Sequence, residues 1–199
     1  MKSGKIKIAL ISGGMIANAA HIPAYRNMQD FAEIVAVCDI YEPAAQTTAQ
    51  RWEIPNYYTD AQEMLEKEKP DLVSICTPNI SHKELTMLAL NHGANVLCEK
   101  PLAVSYRDAR EMFELAQSKG LKLVACQSTR FIPEHLDAHE LVRKGYLGDL
   151  YFGEISRVRR RGTPTWGSFH RKDINGGGAF CDIGVHQLDA ALWIMGNPK

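Results

Sequence analysis

Several absences narrow the field before any motif is considered. Lys plus Arg and Asp plus Glu number 23 each, so the chain has no net charge to draw it to nucleic acid or anionic lipid. No apolar run approaches the roughly 20 residues that a membrane helix needs. The N-terminal stretch that imitates a secretion signal has an uninterrupted apolar core of only Ile8 to Ile11, short of the at least about 7 residues required. Five cysteines, an odd number with no Cys-x-x-Cys pair, argue against a disulfide framework and a zinc site. Cys38, Cys76, Cys98 and Cys126 fall near the ends of apolar runs and read as small core residues, whereas Cys181 abuts Asp182 and is a candidate reactive thiol. Internal repeats and low-complexity tracts are missing as well. The expectation is a cytoplasmic protein that binds neither nucleic acid nor membrane, with one domain or two small ones.

What is present is a βα rhythm. Runs rich in Val and Ile at Ile6 to Ile11, Ile34 to Cys38, Leu72 to Cys76, Asn95 to Cys98 and Leu121 to Cys126 predict strands of a parallel sheet. Between them, Ala44 to Trp52, Ala61 to Glu68, His82 to Asn91 before Gly93, and Ser105 to Lys119 before Gly120 predict helices. The fold class is α/β: an N-terminal Rossmann dinucleotide-binding domain over residues 1–127, then part of an α+β substrate and oligomerisation domain over 128–199. In that second part, a helix is predicted from Glu134 to Lys144 and another from Ala179 to Met195. The imperfect alternation from Leu150 to Arg159 reads as the opening of a sheet. The basic run Arg157 to Arg161 reads as a solvated strand edge, with an anion or substrate contact as the alternative.

Chemistry is concentrated in a few short motifs. Ile11 runs into Ser12-Gly13-Gly14-Met15-Ile16-Ala17, a strand, tight turn and helix start of the kind that cradles a dinucleotide pyrophosphate. Ser12 replaces the usual first glycine, and Gly13 is expected to take over some of the backbone freedom of the turn. Asp39, ending the second strand, can accept adenosine ribose hydroxyls and repel a 2′-phosphate, which favours NAD over NADP; alternatively it caps the helix before Glu42. Thr77-Pro78-Asn79 falls where ligands bind in an open parallel sheet, or forms a strand-to-helix turn in which Asn79 or Ser81 caps the helix. Glu99-Lys100-Pro101 supplies a lysine at a strand end, while Asp182 and His186 stand four apart and share a helix face. A lysine, an aspartate and a histidine form a proton-transfer set, which beside a dinucleotide turn reads as a nicotinamide-dependent oxidoreductase.

With these motifs goes Arg130-Phe131-x-Pro133, Leu147-Gly148 and the glycine-rich approach to Asp182, and together they make the whole chain resemble the Gfo/Idh/MocA family of sugar and cyclitol oxidoreductases. The resemblance implies a hydride transfer between NAD and a secondary hydroxyl of a carbohydrate, cyclitol or glycoside. It casts His186 as the base, Lys100 as the ammonium that stabilises alkoxide charge, and Asp182 as the residue that orients substrate and tunes the other two. Ser12, Gly13, Gly14, Met15, Ile16, Asp39, Thr77, Pro78, Asn79, His82, Glu99 and Lys100 are the expected cofactor contacts. Arg130 and Trp166 join Lys100, Asp182 and His186 as expected substrate contacts, with His170 a further candidate. Homo-oligomerisation through the second domain is also implied. The family's second domain is longer than the 72 residues from 128 to 199, so a partial form, or completion by another chain, is expected. Transient oxidation that labilises a glycosidic bond is a variant of the same reading, and a non-catalytic dinucleotide sensor, a regulatory subunit or an inactive fragment is the alternative from another class.

Overall fold

A computed structural model describes residues 4–158, 160–161 and 171–196. The chain divides into two compact units, Met1–Ala125 and Cys126–Lys199. The first is built on six strands, β1 (Ile6–Ile11), β2 (Ala32–Cys38), β3 (Asn56–Tyr58), β4 (Leu72–Ile75), β5 (Asn95–Cys98) and β6 (Leu123–Ala125). They lie in the order β3-β2-β1-β4-β5-β6, every pair parallel. Connecting them are α1 (Ile22–Arg26), α2 (Glu42–Trp52), α3 (Ala61–Glu68), α4 (His82–Asn91) and α5 (Tyr106–Ser118). Parallel strands need crossovers, and these helices cover both faces of the sheet, which is why β1 is apolar without alternation and is buried from Ile8 to Ile11.

The order reverses between β1 and β4: the chain first builds outward through β2 and β3, then returns to the other side of β1. An open α/β sheet binds ligands at such a reversal, outside the carboxyl ends of its strands. Ser12 to Gly14 follow β1, Asp39 follows β2, Thr77 to Asn79 follow β4 and Glu99-Lys100 follow β5, so the topology collects these motifs along one edge. Beneath that edge Leu10, Ile22 and Val37 form one apolar cluster, and Val73, Ile75, Leu90 and Val96 belong to another; all seven are buried. Fully burying one such side chain stabilises the fold by about 1.5–3 kcal/mol.

Strand β3 escapes the sequence pattern because its three residues, Asn56 to Tyr58, contain no aliphatic run. It exists by pairing with Ala36 to Cys38 of β2. Strand β6 is shorter than expected, Leu123 to Ala125 rather than Leu121 to Cys126.

The second unit contains a 3₁₀ turn at Ser128–Phe131, α6 (Pro133–Arg143), α7 (Lys172–Asn175), a wide π turn at Phe180–Gly184 and α8 (Val185–Met195). The expected sheet opening is not found: residues 151–158 form no strand, and no strand occurs among the described residues of this unit. An alternating pattern needs a partner strand and a face to cover, and here Tyr151, Phe152 and Val158 are all exposed. Arg157 therefore lies in irregular chain rather than on a strand edge, and Arg159 lies outside the described residues. Among the described residues no helix is long and apolar enough to cross a membrane.

Candidate cofactor and catalytic site

The turn after β1 is assembled around a serine in an unusual backbone state. Ser12 has φ of +96°, a region that side chains with a Cβ avoid. The serine, not Gly13, thus takes the left-handed position. Its side chain compensates by local bonds: Ser12 Oγ accepts the Gly14 N–H at 3.1 Å and donates to Asp39 Oδ2 at 3.3 Å. Gly13 serves close approach instead, since a Cβ there would sit 2.8 Å from both the Ala44 carbonyl oxygen and Thr48 Oγ1 on α2. Asn18, which the sequence reading passed over, donates from Nδ2 to the Gly13 and Gly14 carbonyls at 2.8 and 3.0 Å and accepts from Trp52 Nε1 at 2.8 Å. An amide four residues beyond a glycine turn is a usable signal, because it can satisfy carbonyls that the turn leaves over.

Asp39 is a strut of this turn and not a cap of α2, whose N-cap is Tyr41 with no side-chain bond. Its Oδ2 accepts the Gly13 N–H at 2.8 Å and its Oδ1 the Tyr41 N–H at 3.0 Å. With the Ser12 hydroxyl, three of the carboxylate's roughly four acceptor directions are used, which leaves capacity for one incoming hydroxyl more readily than two. An open cleft of about 460 Å³ adjoins the turn, lined in part by Gly14, Met15, Asn18, Tyr41, Thr47 and Arg51. A glycine turn lining the cleft, a carboxylate at the end of β2 and a cleft beside both are what a dinucleotide requires. The residues present fit that group. Met15 is exposed and Ile16 partly so.

Along the same edge Ser81 Oγ lies 2.9 Å from Thr77 Oγ1 and 2.8 Å from the Pro78 carbonyl oxygen. It secures the Thr77-Pro78-Asn79 turn by those bonds, and Asn79 opens a short 3₁₀ turn, so neither residue makes a side-chain cap for α4. His82, expected to touch the cofactor, is wholly buried, with Nδ1 2.8 Å from the Pro101 carbonyl oxygen and Nε2 2.9 Å from that of Thr77. A ring with no exposed surface cannot contact a bound nucleotide. His82 instead ties the Thr77 turn to the Lys100-Pro101 turn.

Glu99 extends the sheet by donating its N–H to the Ile75 carbonyl at 2.9 Å, and the Lys100-Pro101 bond that follows is cis. Glu99 Oε1 pairs with His21 Nε2 at 2.9 Å, and Glu99 Oε2 accepts the Lys100 N–H at 3.1 Å. His21 is a second residue that the sequence reading missed. It stands 78 positions from Glu99, and only the folded sheet brings the two together.

In the second unit, Asp182 lies in the π turn and His186 in the first turn of α8, both half-buried. The wide turn is possible because Gly184 has no Cβ; one would meet the Phe180 ring at 2.8 Å. One turn beyond His186, Asp189 accepts from Arg130 at 2.7 Å (Nε) and 2.6 Å (Nη2), and the guanidinium also lies over the Trp193 ring at 5.7 Å. Arg130 was expected to hold sugar, yet its fork is committed to Asp189, which holds the guanidinium above its usual pKa. It anchors the helix that carries His186. Trp193 stacks on His139 of α6 with ring centroids 4.0 Å apart. Trp166 and His170 lie outside the described residues. Of the cysteines, Cys38, Cys76 and Cys98 are buried, while Cys126 and Cys181 are partly exposed. Burial, and then the charge of Asp39, push the Cys38 thiol up to about 12.

Comparison with known proteins places this geometry. Residues 6–126 match the oxidoreductase family with an NAD-binding Rossmann fold, and residues 135–199 match the GFO/IDH/MocA C-terminal domain. D-glucoside 3-dehydrogenase of Escherichia coli K12 is 39% identical over 198 residues, covering 100% of this chain and 56% of that protein. D-apiose dehydrogenase of Paraburkholderia graminis is 31% identical over 197 residues, 97% of this chain and 50% of that one. Among solved structures, levoglucosan dehydrogenase in complex with NADH superposes with a TM-score of 0.81 at 25% identity, over 96% of this chain and 54% of that one. The chain spans about half the length of the curated relatives it matches. Both of its units thus fall within consecutive domains of one lineage, and the chain belongs to the GFO/IDH/MocA oxidoreductase family.

Proposed function

We propose that the protein oxidises a secondary hydroxyl of a sugar, cyclitol or glycoside to a ketone with NAD, or runs the reverse reduction. The observation that carries this reading is the match of the whole chain to D-glucoside 3-dehydrogenase by a sequence that carries Lys100, Asp182 and His186. NAD would be held at the Ser12 to Gly14 turn and Asp39, and when bound it would supply the hydride acceptor. His186 takes the hydroxyl proton through a neutral ring nitrogen as the carbon–hydrogen bond gives up its electron pair, so one hydride and one proton leave the alcohol and a carbonyl remains. Lys100 stabilises the developing alkoxide and holds the hydroxyl in place. Asp182, four residues before His186 in the π turn that leads into α8, orients the substrate. Glu99 supports the lysine turn. Asp39 favours NAD over NADP by repelling a 2′-phosphate.

The test follows NADH formation by the purified protein with a panel of glucosides, sugars and cyclitols. We expect NADH to accumulate with NAD, and NADPH to form far more slowly with NADP. His186→Ala is expected to abolish turnover while NAD affinity stays as in the wild type. Loss of both, or of neither, overturns the assignment. Conversion of a glycoside without accumulating NADH identifies the variant chemistry in which the sugar is oxidised only transiently.

A further inference from the structure

Behind the lysine turn runs a buried chain of polar side chains that no role given so far requires. Tyr25 Oη donates to Ser74 Oγ at 3.1 Å, and Ser74 Oγ lies 2.8 Å from His21 Nδ1. His21 Nε2 lies 2.9 Å from Glu99 Oε1, and the second oxygen of that carboxylate accepts the Lys100 N–H at 3.1 Å. Ser74 is 0% exposed, His21 6%, Tyr25 8% and the Glu99 side chain 14%, so water does not substitute for these bonds.

The direction of the chain follows from donor chemistry. A carboxylate only accepts, so the ring nitrogen facing Glu99 carries a proton. Tyr25 already donates to Ser74 Oγ, which leaves the Ser74 hydrogen to point at Nδ1 when the ring is neutral. Every hydrogen then points toward Glu99. A serine, a histidine and a glutamate in line imitate a nucleophilic triad, but Ser74 has no exposed surface for a substrate to reach, which rules out that use. What the chain can do is fix a rotamer. Glu99 bridges His21 on one side and the backbone of Lys100 on the other, so the bond to His21 fixes the carboxylate rotamer that meets the Lys100 N–H.

We propose that His21 is a positioning residue for Lys100 and acts through Glu99. The proposal rests on the reading of Lys100 as the catalytic lysine. It separates from simple packing by the reach of two amides of similar bulk. A glutamine amide overlies Nε2 and keeps the link to Glu99, whereas an asparagine amide overlies Nδ1 and keeps only the link to Ser74. In the full chain, His21→Asn is expected to lower kcat on the order of 100-fold with KM for NAD unchanged, the cost of a misplaced group of about 1 Å. His21→Gln is expected to retain most of kcat. Hydrogen exchange at the Lys100 amide reads the same bond without any turnover, and it should quicken in His21→Asn but not in His21→Gln. Equal exchange in the two variants overturns the proposal. Absence of both NADH formation and glycoside conversion by the wild type overturns the role of Lys100 instead, and leaves the exchange result to decide the positioning. Should neither variant fold, nitrogen-15 shifts of the wild-type His21 ring decide: a protonated Nε2 supports the chain, and an unprotonated one overturns it.

Discussion

In the sheet unit Leu10, Val37, Val73, Ile75 and Leu90 are wholly inaccessible to solvent, while in the helical unit only Ala190 and Thr129 are buried among the described residues. The two units therefore hold their chemistry-bearing groups by different means. Ser12, Asp39, Thr77 and Glu99 are end-caps of strands whose roots lie in a closed core, so their positions follow from the packing beneath them. Asp182 leads into, and His186 sits on, a helix that is apolar nearly all round yet exposes Leu188 and Leu192. That helix is held at discrete points, the Arg130–Asp189 pair and the His139–Trp193 stack. A residue on a saturated core tolerates little change around it. A residue held by point contacts depends on a few named side chains.

The sharpest way to break that contrast is to truncate the same side chain in both units. Leu10→Ala opens a cavity in a packed core and is expected to cost about 2–5 kcal/mol, whereas Leu188→Ala on the half-exposed face of α8 should change stability by less than about 0.5 kcal/mol. Urea unfolding followed by circular dichroism measures both, and equal losses would mean that the second unit has a core as tight as the first. Arg130→Met comes next. It leaves the Asp189 carboxylate, 16% exposed, without its fork, and because the arginine is 41% exposed the screened loss should be about 1 kcal/mol. Hydrogen exchange should quicken along α8 while the amides of β1 and β4 keep their protection. Uniform quickening in both units would contradict an anchor local to the helix.

The sheet unit was also the more legible of the two in sequence, for the same physical reason. A doubly covered parallel strand reads as an unbroken apolar run, and β1, β4 and β5 announce themselves in that way. β3 does not, because Asn56-Tyr57-Tyr58 is a strand only by virtue of its pairing with β2. Leu150 to Arg159 misled for the converse reason: it alternates, but no partner strand is found for it among the described residues. Within the candidate site, local motifs were readable and long-range partners were not. The glycine turn, Asp39 and the Glu99-Lys100-Pro101 turn are contiguous patterns with chemical meaning. His21 behind Glu99, and Asp189 behind Arg130, are pairings across 78 and 59 positions that only topology creates. The same limit explains why His82 was expected at the cofactor: its motif lies beside the crevice, but only the fold shows its ring turned inward.

Ser12 tests whether the sheet edge is set by backbone or by side-chain bonds. Ser12→Ala keeps a Cβ at φ of +96° and removes the hydroxyl that serves Gly14 and Asp39, so it should destabilise by about 1 kcal/mol. Ser12→Gly loses the same bonds but relieves a left-handed strain of roughly 1 kcal/mol, and should come out near the wild type in thermal unfolding. The reverse ranking would show that the hydroxyl is dispensable and the backbone unstrained.

The smallest effect is expected on the outer surface of the sheet unit, far from its core. Lys83 of α4 reaches Asp108 at 2.6 Å and Glu111 at 2.5 Å, both on α5. Its bonds to Asp108 and Glu111 raise the ammonium pKa, while the same bonds to Lys83 lower both carboxyl groups. A depressed carboxyl stabilises the fold above its unfolded value and stops doing so as pH falls through its folded one. A raised ammonium stabilises below its unfolded value and stops doing so as pH rises through its folded one. The pair therefore contributes between about pH 4 and about pH 10, where both partners carry charge in the unfolded chain as well. Lys83→Met should lower the melting temperature slightly at neutral pH and low salt, and the difference should close in acid as the carboxylates protonate. Asp108 keeps part of its anchorage even then, because its N–H donates to Ser105 Oγ at 3.1 Å in the cap of α5. A difference that survives acid would belong to the lysine's apolar stem packed between the helices rather than to its charge. The α4–α5 contact would then have to be counted with the core.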